Sequence, residues 1–470
     1  MLKKNIYIII EHKNRELLSQ LTLTLFAIKK NFRVYIGNYR GIFKLLSKKK
    51  EKSGILLMKG GLNEKLTKYV KKKCEKYVVI DQEISPGFKK QTYKRWISSR
   101  FLEQTVSSID LYFCLNQDVL DATYQNKTFK KNKVQTFLSG WPRVDTWRPI
   151  FKNLYINKIR SLKKKYGNFI FFSSDFGVTC EEDFEELVNR IPWDSNKKKI
   201  NQIKTKNILY AKKIFEEYKK FIIFLKKIDK MKNCPPILIR SHPGENLKGW
   251  SKDLKNIKNV FLLRPNDVID PYIFACKGFV HRGSTTAYQA ILAKKPISYL
   301  HLISRLNKPN TVVPTPFLQF RDNVMRCSKK IKNEKQFISW SKKISGKKSK
   351  DQIGIIKQEL NINDKFAADM IIDRLNEFHC KKDKSIDNFF KEIGFIDKFI
   401  YLIKNTLAIF LFMNKVNYNK AKINKINNGI RSYEIKNIMI KLKKILKNKF
   451  FKTLSIKQIS ESVVEVEKIK

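Results

Sequence analysis

Short apolar runs alternate with stretches of helical periodicity along most of this chain, and that alternation constrains the fold more than any other feature. Ile6 to Ile10 reads as a short buried strand, after which Leu17, Leu21, Leu25 and Ile28 recur at helical spacing. Phe32 to Gly37 returns as a strand, and further strand runs fall at 54–58, 77–80, 109–115 and 134–138. A second alternating region has strand runs at 168–173, 236–240, 260–263, 278–281 and 296–300. Between them the acidic stretch 181–186 starts a helix, 196–206 reads as an exposed basic excursion, and 208–230 as a long amphipathic helix. Strands separated by helices imply parallel sheets covered on both faces. The predicted class is α/β: two doubly wound, Rossmann-like domains facing a cleft, plus a helical C-terminal tail. The Gly140-Trp141-Pro142-Arg143-Val144-Asp145 turn punctuates the two regions. The expected domains are 1–152, 153–380 with closing helices (one over 366–378), and a basic tail, 381–470.

The 470 residues allow two or three domains, each with its own core. No apolar stretch is long enough to span a bilayer, and the N-terminal run Ile6 to Ile10 ends at Glu11, too short for a signal peptide. These features predict a cytoplasmic protein. Seven widely spaced cysteines contain no C-x-x-C pair, which argues against a disulfide framework and a structural zinc site. The formal charge of +56 suits polyanionic partners, yet the lysines are spread between apolar segments rather than gathered into one arm. No specific nucleic-acid partner is therefore expected. P-loop, H-E-x-x-H and G-x-S-x-G patterns are absent, and no metal or cofactor is called for.

Two motifs about forty residues apart carry the chemistry. Arg240-Ser241-His242-Pro243-Gly244-Glu245 follows one apolar strand run; His281-Arg282-Gly283-Ser284-Thr285-Thr286-Ala287 follows another. In an open parallel sheet, ligands bind outside the carboxyl ends of the strands. His242 can donate to a phosphate oxygen and offset charge on a leaving group; its structural alternative is a loop histidine bonded to backbone. Gly283 lets a backbone approach a ligand, while Ser284, Thr285 and Thr286 can bind phosphate or simply cap a helix. Arg282 reads either as a phosphate or acceptor contact or as a surface charge. In the first domain Asp81-Gln82-Glu83 follows a strand run, and either carboxylate could act as general base. Glu11, Arg15 and Glu16 are further candidates on the acceptor side.

Together, Arg240-Ser241-His242-Pro243-Gly244-Glu245 and Gly283-Ser284-Thr285-Thr286-Ala287 resemble the R-x-HP-x-E and Ser/Thr-rich motifs of bacterial surface-polysaccharide glycosyltransferases. That group includes capsule and lipopolysaccharide sugar transferases, sialyltransferase-like enzymes and the CDP-glycerol glycerophosphotransferases. The start, Ile9 to Leu17, and the Gly140 to Asp145 turn resemble proteins of surface carbohydrate biosynthesis. The resemblance spans about residues 1–380 and implies the two-domain GT-B fold. It implies a nucleotide-activated donor, possible CMP- or CDP-linked chemistry, and a glycan or lipid-linked glycan acceptor. Arg240, His242, Pro243, Glu245, Gly283, Ser284, Thr285 and Thr286 would hold the nucleotide phosphate. Glu83, ahead of Asp81, would be the base, although Gln82 and Ile84 depart from the family's acidic motif.

Two rivals remain at this level: a nucleotide-sugar epimerase or hydrolase on the same fold, and a non-catalytic basic RNA- or membrane-binding protein. Ile435, Met439, Leu442 and Leu446 form one face of a tail helix whose other face is lysine, which predicts peripheral attachment to an anionic inner membrane surface. Packing of that helix on the protein core is the alternative.

Overall fold

The computed structural model describes residues 3–61, 64–88, 90–101, 103–189, 197–242, 245–264, 267–303, 322–344, 350–380, 382–383, 429–446, 454–460 and 462–468. The chain divides into two compact units. The first is Met1–Ile84 with Lys90–Thr146 and Leu360–Lys470; the second is Ser85–Lys89 with Trp147–Glu359.

In the first unit, six parallel strands form the centre of the sheet: β1 (Lys3–Ile9), β2 (Arg33–Gly37), β3 (Ile55–Met58), β4 (Lys76–Ile80), β5 (Leu111–Cys114) and β6 (Gln135–Leu138). Their continuous apolar runs reflect burial on both faces, as parallel sheets require. Tyr7 and Tyr35, neighbours on β1 and β2, stack with ring centroids 5.3 Å apart. The helix Lys13–Lys29 is buried all round from Glu16 to Ile28. It lies against the helices Pro142–Asp145, Ala367–Asn376 and Ser432–Ile445, so its sequence is apolar on more than one face.

The later part of the chain departs from the sequence-based expectation. The boundary falls between Thr146 and Trp147, and the closing helix Ala367–Asn376 belongs to the first unit rather than the second. The reason is local. The buried Asp145 carboxylate accepts from the backbone N–H groups of Ala367 and Ala368 at 3.1 and 3.0 Å, supplying the cap that Phe366 cannot. Nor is the tail purely helical. Beyond β13 (Lys382–Asp383), paired with β1, the chain adds β14 (Leu454–Ser460) and β15 (Val463–Lys468), an antiparallel hairpin extending the sheet past β2. The strand order is β14-β15-β2-β1-β3-β4-β5-β6. Glu467 reaches Lys3 at 3.1 Å and Arg33 at 3.0 Å, and Glu465 lies 3.7 Å from Arg33; Arg33 is 1% exposed.

The tail helix Ser432–Ile445 buries Ile435, Met439 and Leu442, so the apolar face that a membrane would take is already covered by protein. Among the described residues no helix is long and apolar enough to cross a membrane. The apolar stretch 395–413 lies outside the described residues.

The second unit is a six-stranded parallel sheet ordered β12-β11-β10-β7-β8-β9. Its strands are β7 (Ile170–Ser173), β8 (Ile237–Arg240), β9 (Val260–Leu263), β10 (Gly278–His281), β11 (Ile297–Leu300) and β12 (Lys329–Ile331). The expected basic excursion is instead the start of a 33-residue helix, Lys197–Asp229. Its residues Ala211, Ile214, Tyr218, Phe221, Leu225 and Ile228 pack on a core containing Phe172, Phe176 and Trp250. Good helix formers, lysine among them, let it continue without a breaker.

Candidate functional site

The parallel strands of each sheet reverse their order once, at the point where a ligand crevice is expected. In the first unit β2 lies on one side of β1 and β3 on the other; in the second, β8 lies on one side of β7 and β10 on the other. The polar motifs sit on the turns that leave these strands.

In the first unit, Glu11, Arg15, Glu16 and Glu83 do come together, around a residue the motif reading missed. Lys59, directly after β3, places its Nζ 2.8 Å from Glu11, 3.0 Å from Glu16 and 3.0 Å from Glu83. Arg15 adds bonds to Glu83 at 2.7 Å and Glu16 at 3.2 Å. Glu16 also accepts from the backbone N–H groups of Glu11 and His12, closing the N-terminus of Lys13–Lys29 as a variant of the capping box. Glu16 is therefore a buried support, while Glu11, Arg15, Lys59 and Glu83 line a cavity of about 230 Å³ with Arg100, Gly60 and Gly61. A Cβ at Gly60 would fall 2.5 Å from the Arg100 guanidinium, which would have to move aside. A lysine at a strand end before two glycines was the available sequence signal.

The two candidate bases separate. Asp81 is 1% exposed and held by Arg100 at 3.3 Å, by the Tyr112 hydroxyl at 3.3 Å and by the Glu83 N–H at 3.2 Å. Burial pushes its carboxyl up, against the pull of Arg100. It lies beneath the cavity as a support and is not among the lining residues. Glu83 faces the cavity. Burial alone would raise its carboxyl, but Arg15 and Lys59 overcome that and hold it down to about 2.

In the second unit, Arg240 ends β8 and His242 is exposed two residues on; Pro243 lies outside the described residues. Burial lowers the Arg240 guanidinium, against Asp267, Asp270 and Glu245. Glu245, expected as a nucleotide contact, turns inward and is 3% exposed. Its carboxylate accepts from Ser174 Oγ at 2.7 Å, Gly177 N–H at 3.1 Å, His242 N–H at 3.0 Å and Trp250 Nε1 at 3.0 Å. With both oxygens engaged inside the protein, it positions the His242 turn and does not reach a ligand. Burial raises its carboxyl, and these four donors oppose the rise.

The second motif leaves β10. His281 is fully buried, with Nδ1 accepting from the Gly283 N–H at 3.2 Å and Nε2 2.8 Å from Ser328 Oγ. The first bond fixes the proton on Nε2. Arg282, left open between a phosphate or acceptor contact and a surface charge, is neither: it is 1% exposed and bonded within the unit. Gly283 has φ +124°, a backbone region closed to side chains, and no atom lies within 4 Å of where a Cβ would stand. Ser284 Oγ accepts from the Thr286 N–H at 3.2 Å and donates to Thr286 Oγ1 at 3.0 Å. Ser284, Thr285 and Thr286 stay half-buried at the start of the helix Thr286–Leu292. Among the described residues no group of three or more His, Cys, Asp and Glu is placed to hold a metal.

Fold and sites thus define an α/β chain of two parallel-sheet units, each with a polar cluster at the reversal of strand order. No protein-family model and no curated relative matches the sequence. Solved structures match the chain at low identity. S. aureus MnaA with UDP is 11% identical, with 79% of this chain and 96% of that chain covered and a TM-score of 0.45. The UDP-GlcNAc 2-epimerase from Neisseria meningitidis bound to UDP-GlcNAc is 14% identical, with 80% and 99% covered and a TM-score of 0.39. The wall teichoic acid polymerase TagF is 9% identical, with 79% and 88% covered and a TM-score of 0.46.

Proposed function

We propose that this chain is a metal-independent, nucleotide-sugar-using transferase of surface-polysaccharide synthesis. It would move a sugar, or a glycerol phosphate, from a nucleotide-activated donor to a glycan or lipid-linked glycan acceptor. One observation carries the reading. The turn bearing Arg240 and His242 and the turn bearing Gly283, Ser284, Thr285 and Thr286 leave strands on either side of β7, on one sheet edge, at the strand-order reversal.

In this reading His242 donates to the departing phosphate, and Ser284, Thr285 and Thr286 supply hydroxyl and backbone donors beside it. Arg240 adds positive charge at the strand end. Gly283 leaves room for the phosphate to approach the backbone. Donors already in place where charge develops lower the barrier without rearranging during the reaction. The cavity of the first unit takes the acceptor, with Glu83 as the base in preference to the buried Asp81. A carboxylate held at about 2 is ionised at any working pH but accepts a proton weakly.

The test is product analysis with a nucleotide-sugar panel, with and without acceptor glycan. Transfer that needs acceptor and falls at least about tenfold in Glu83→Gln and in His242→Ala supports the reading. Sugar turnover without acceptor would replace it by an epimerase or hydrolase.

A further inference from the structure

We propose that Arg282 is a positioning residue: a buried clamp that fixes the loop after β7 and, through it, both turns assigned to the nucleotide. The guanidinium spends its donors in three directions. Nε donates to the Ile303 carbonyl at 3.1 Å, just past β11. One terminal nitrogen donates to the Asp175 carbonyl at 3.2 Å and lies 3.5 Å from the Asp175 carboxylate, just past β7. The other donates to the Glu217 carboxylate on the helix Lys197–Asp229. The planar group also lies over the Phe176 ring, 4.4 Å from its centroid. One side chain from the end of β10 thus ties down the loops after β7 and β11, the two strands flanking β10. Only a planar fork with several fixed donors can do this; a lysine ammonium cannot meet the same set.

The loop after β7 is the hub. Glu245 holds it from the other side, through Ser174 and the Gly177 N–H, while also holding the His242 N–H. His242 is therefore linked through Glu245 to residues 174–177, and these through Arg282 to Gly283. The loop carries no residue assigned to the ligand, yet both flanking turns take their position from it. The consequence for nucleotide binding rests on the proposed function; the clamp itself does not.

The experiment uses the full chain with Arg282→Met, Arg282→Lys and Glu217→Gln. Amide hydrogen exchange is read in the ligand-free state, and CDP and UDP binding by calorimetry. The clamp predicts at least about tenfold faster exchange at 174–178 and 283–287 in Arg282→Met, with β7 and β10 protected as in the wild type. It predicts about tenfold weaker binding of whichever nucleotide the wild type binds, partly restored in Arg282→Lys. If Arg282→Met does not fold, Glu217→Gln decides, because it keeps the guanidinium and removes only its counter-charge. A folded Glu217→Gln with unchanged exchange at both loops overturns the clamp. A wild type that binds neither of these nor CMP or GDP counts against the proposed function alone, while the exchange result still judges the clamp.

Discussion

Glu83 and Glu245 show how one residue type serves two purposes in this molecule. Glu83 is paired with cations at a cavity wall, and its carboxyl is depressed to about 2 in the folded state. A depressed carboxyl contributes stability that is present above its unfolded value, near 4.5, and is lost as pH falls through that value towards 2. Denaturant titrations across this window should show a shallower acid loss in Glu83→Gln than in the wild type; identical slopes would remove the ion pairs from the account. Glu245 instead has four hydrogen-bond donors and, among the described residues, no cation bonded to it. Glu245→Ala would leave those donors unmatched and should cost about 2–4 kcal/mol in a chemical melt. A loss below about 0.5 kcal/mol would show that the network does not hold the turn. From sequence, the R-x-HP-x-E spacing marked the turn after β8 but not the direction each side chain takes. Glu245 and Arg282 turn inward because of partners 71 and 65 residues away, respectively. Lys59 was missed for a related reason: a lysine before two glycines is a weak signal in a lysine-rich chain, and its role shows only when three carboxylates converge on it.

At the scale of elements, the parallel strands were legible because burial on both faces leaves continuous apolar runs bounded by turns. The hairpin of β14 and β15 was not. Val463-Val464-Glu465-Val466-Glu467-Lys468 reads as half-exposed, yet Glu465 is 2% exposed because it neutralises Arg33 from more than 400 residues away. Pairing across that separation leaves no local trace. Removing 454–470 should strip the buried Arg33 of both carboxylates and destabilise the first unit by at least about 3 kcal/mol. A truncated chain that melts like the full one would make the hairpin dispensable. Asp145→Ala tests the other long-range element. It removes the cap of Ala367–Asn376, and a loss of about 2 kcal/mol is expected.

For the molecule as a whole, the charge of +56 and the two polar clusters make separate demands. With the apolar face of Ser432–Ile445 covered, any hold of that helix on an anionic surface should be electrostatic. Binding to vesicles rich in anionic lipid should then vanish by about 0.5 M salt, where screening is nearly complete. Binding that survives would mean insertion of apolar residues. The catalytic claim rests on the second unit, where two turns beside β7 are assigned to one phosphate-bearing ligand. Calorimetric titration of the full chain with CMP, CDP, UDP and GDP tests it most directly. The account predicts saturable binding of at least one of them, weakened about tenfold, or about 1.4 kcal/mol, by His242→Ala and by Ser284→Ala. Absence of binding to all four, or binding that neither substitution changes, would contradict it.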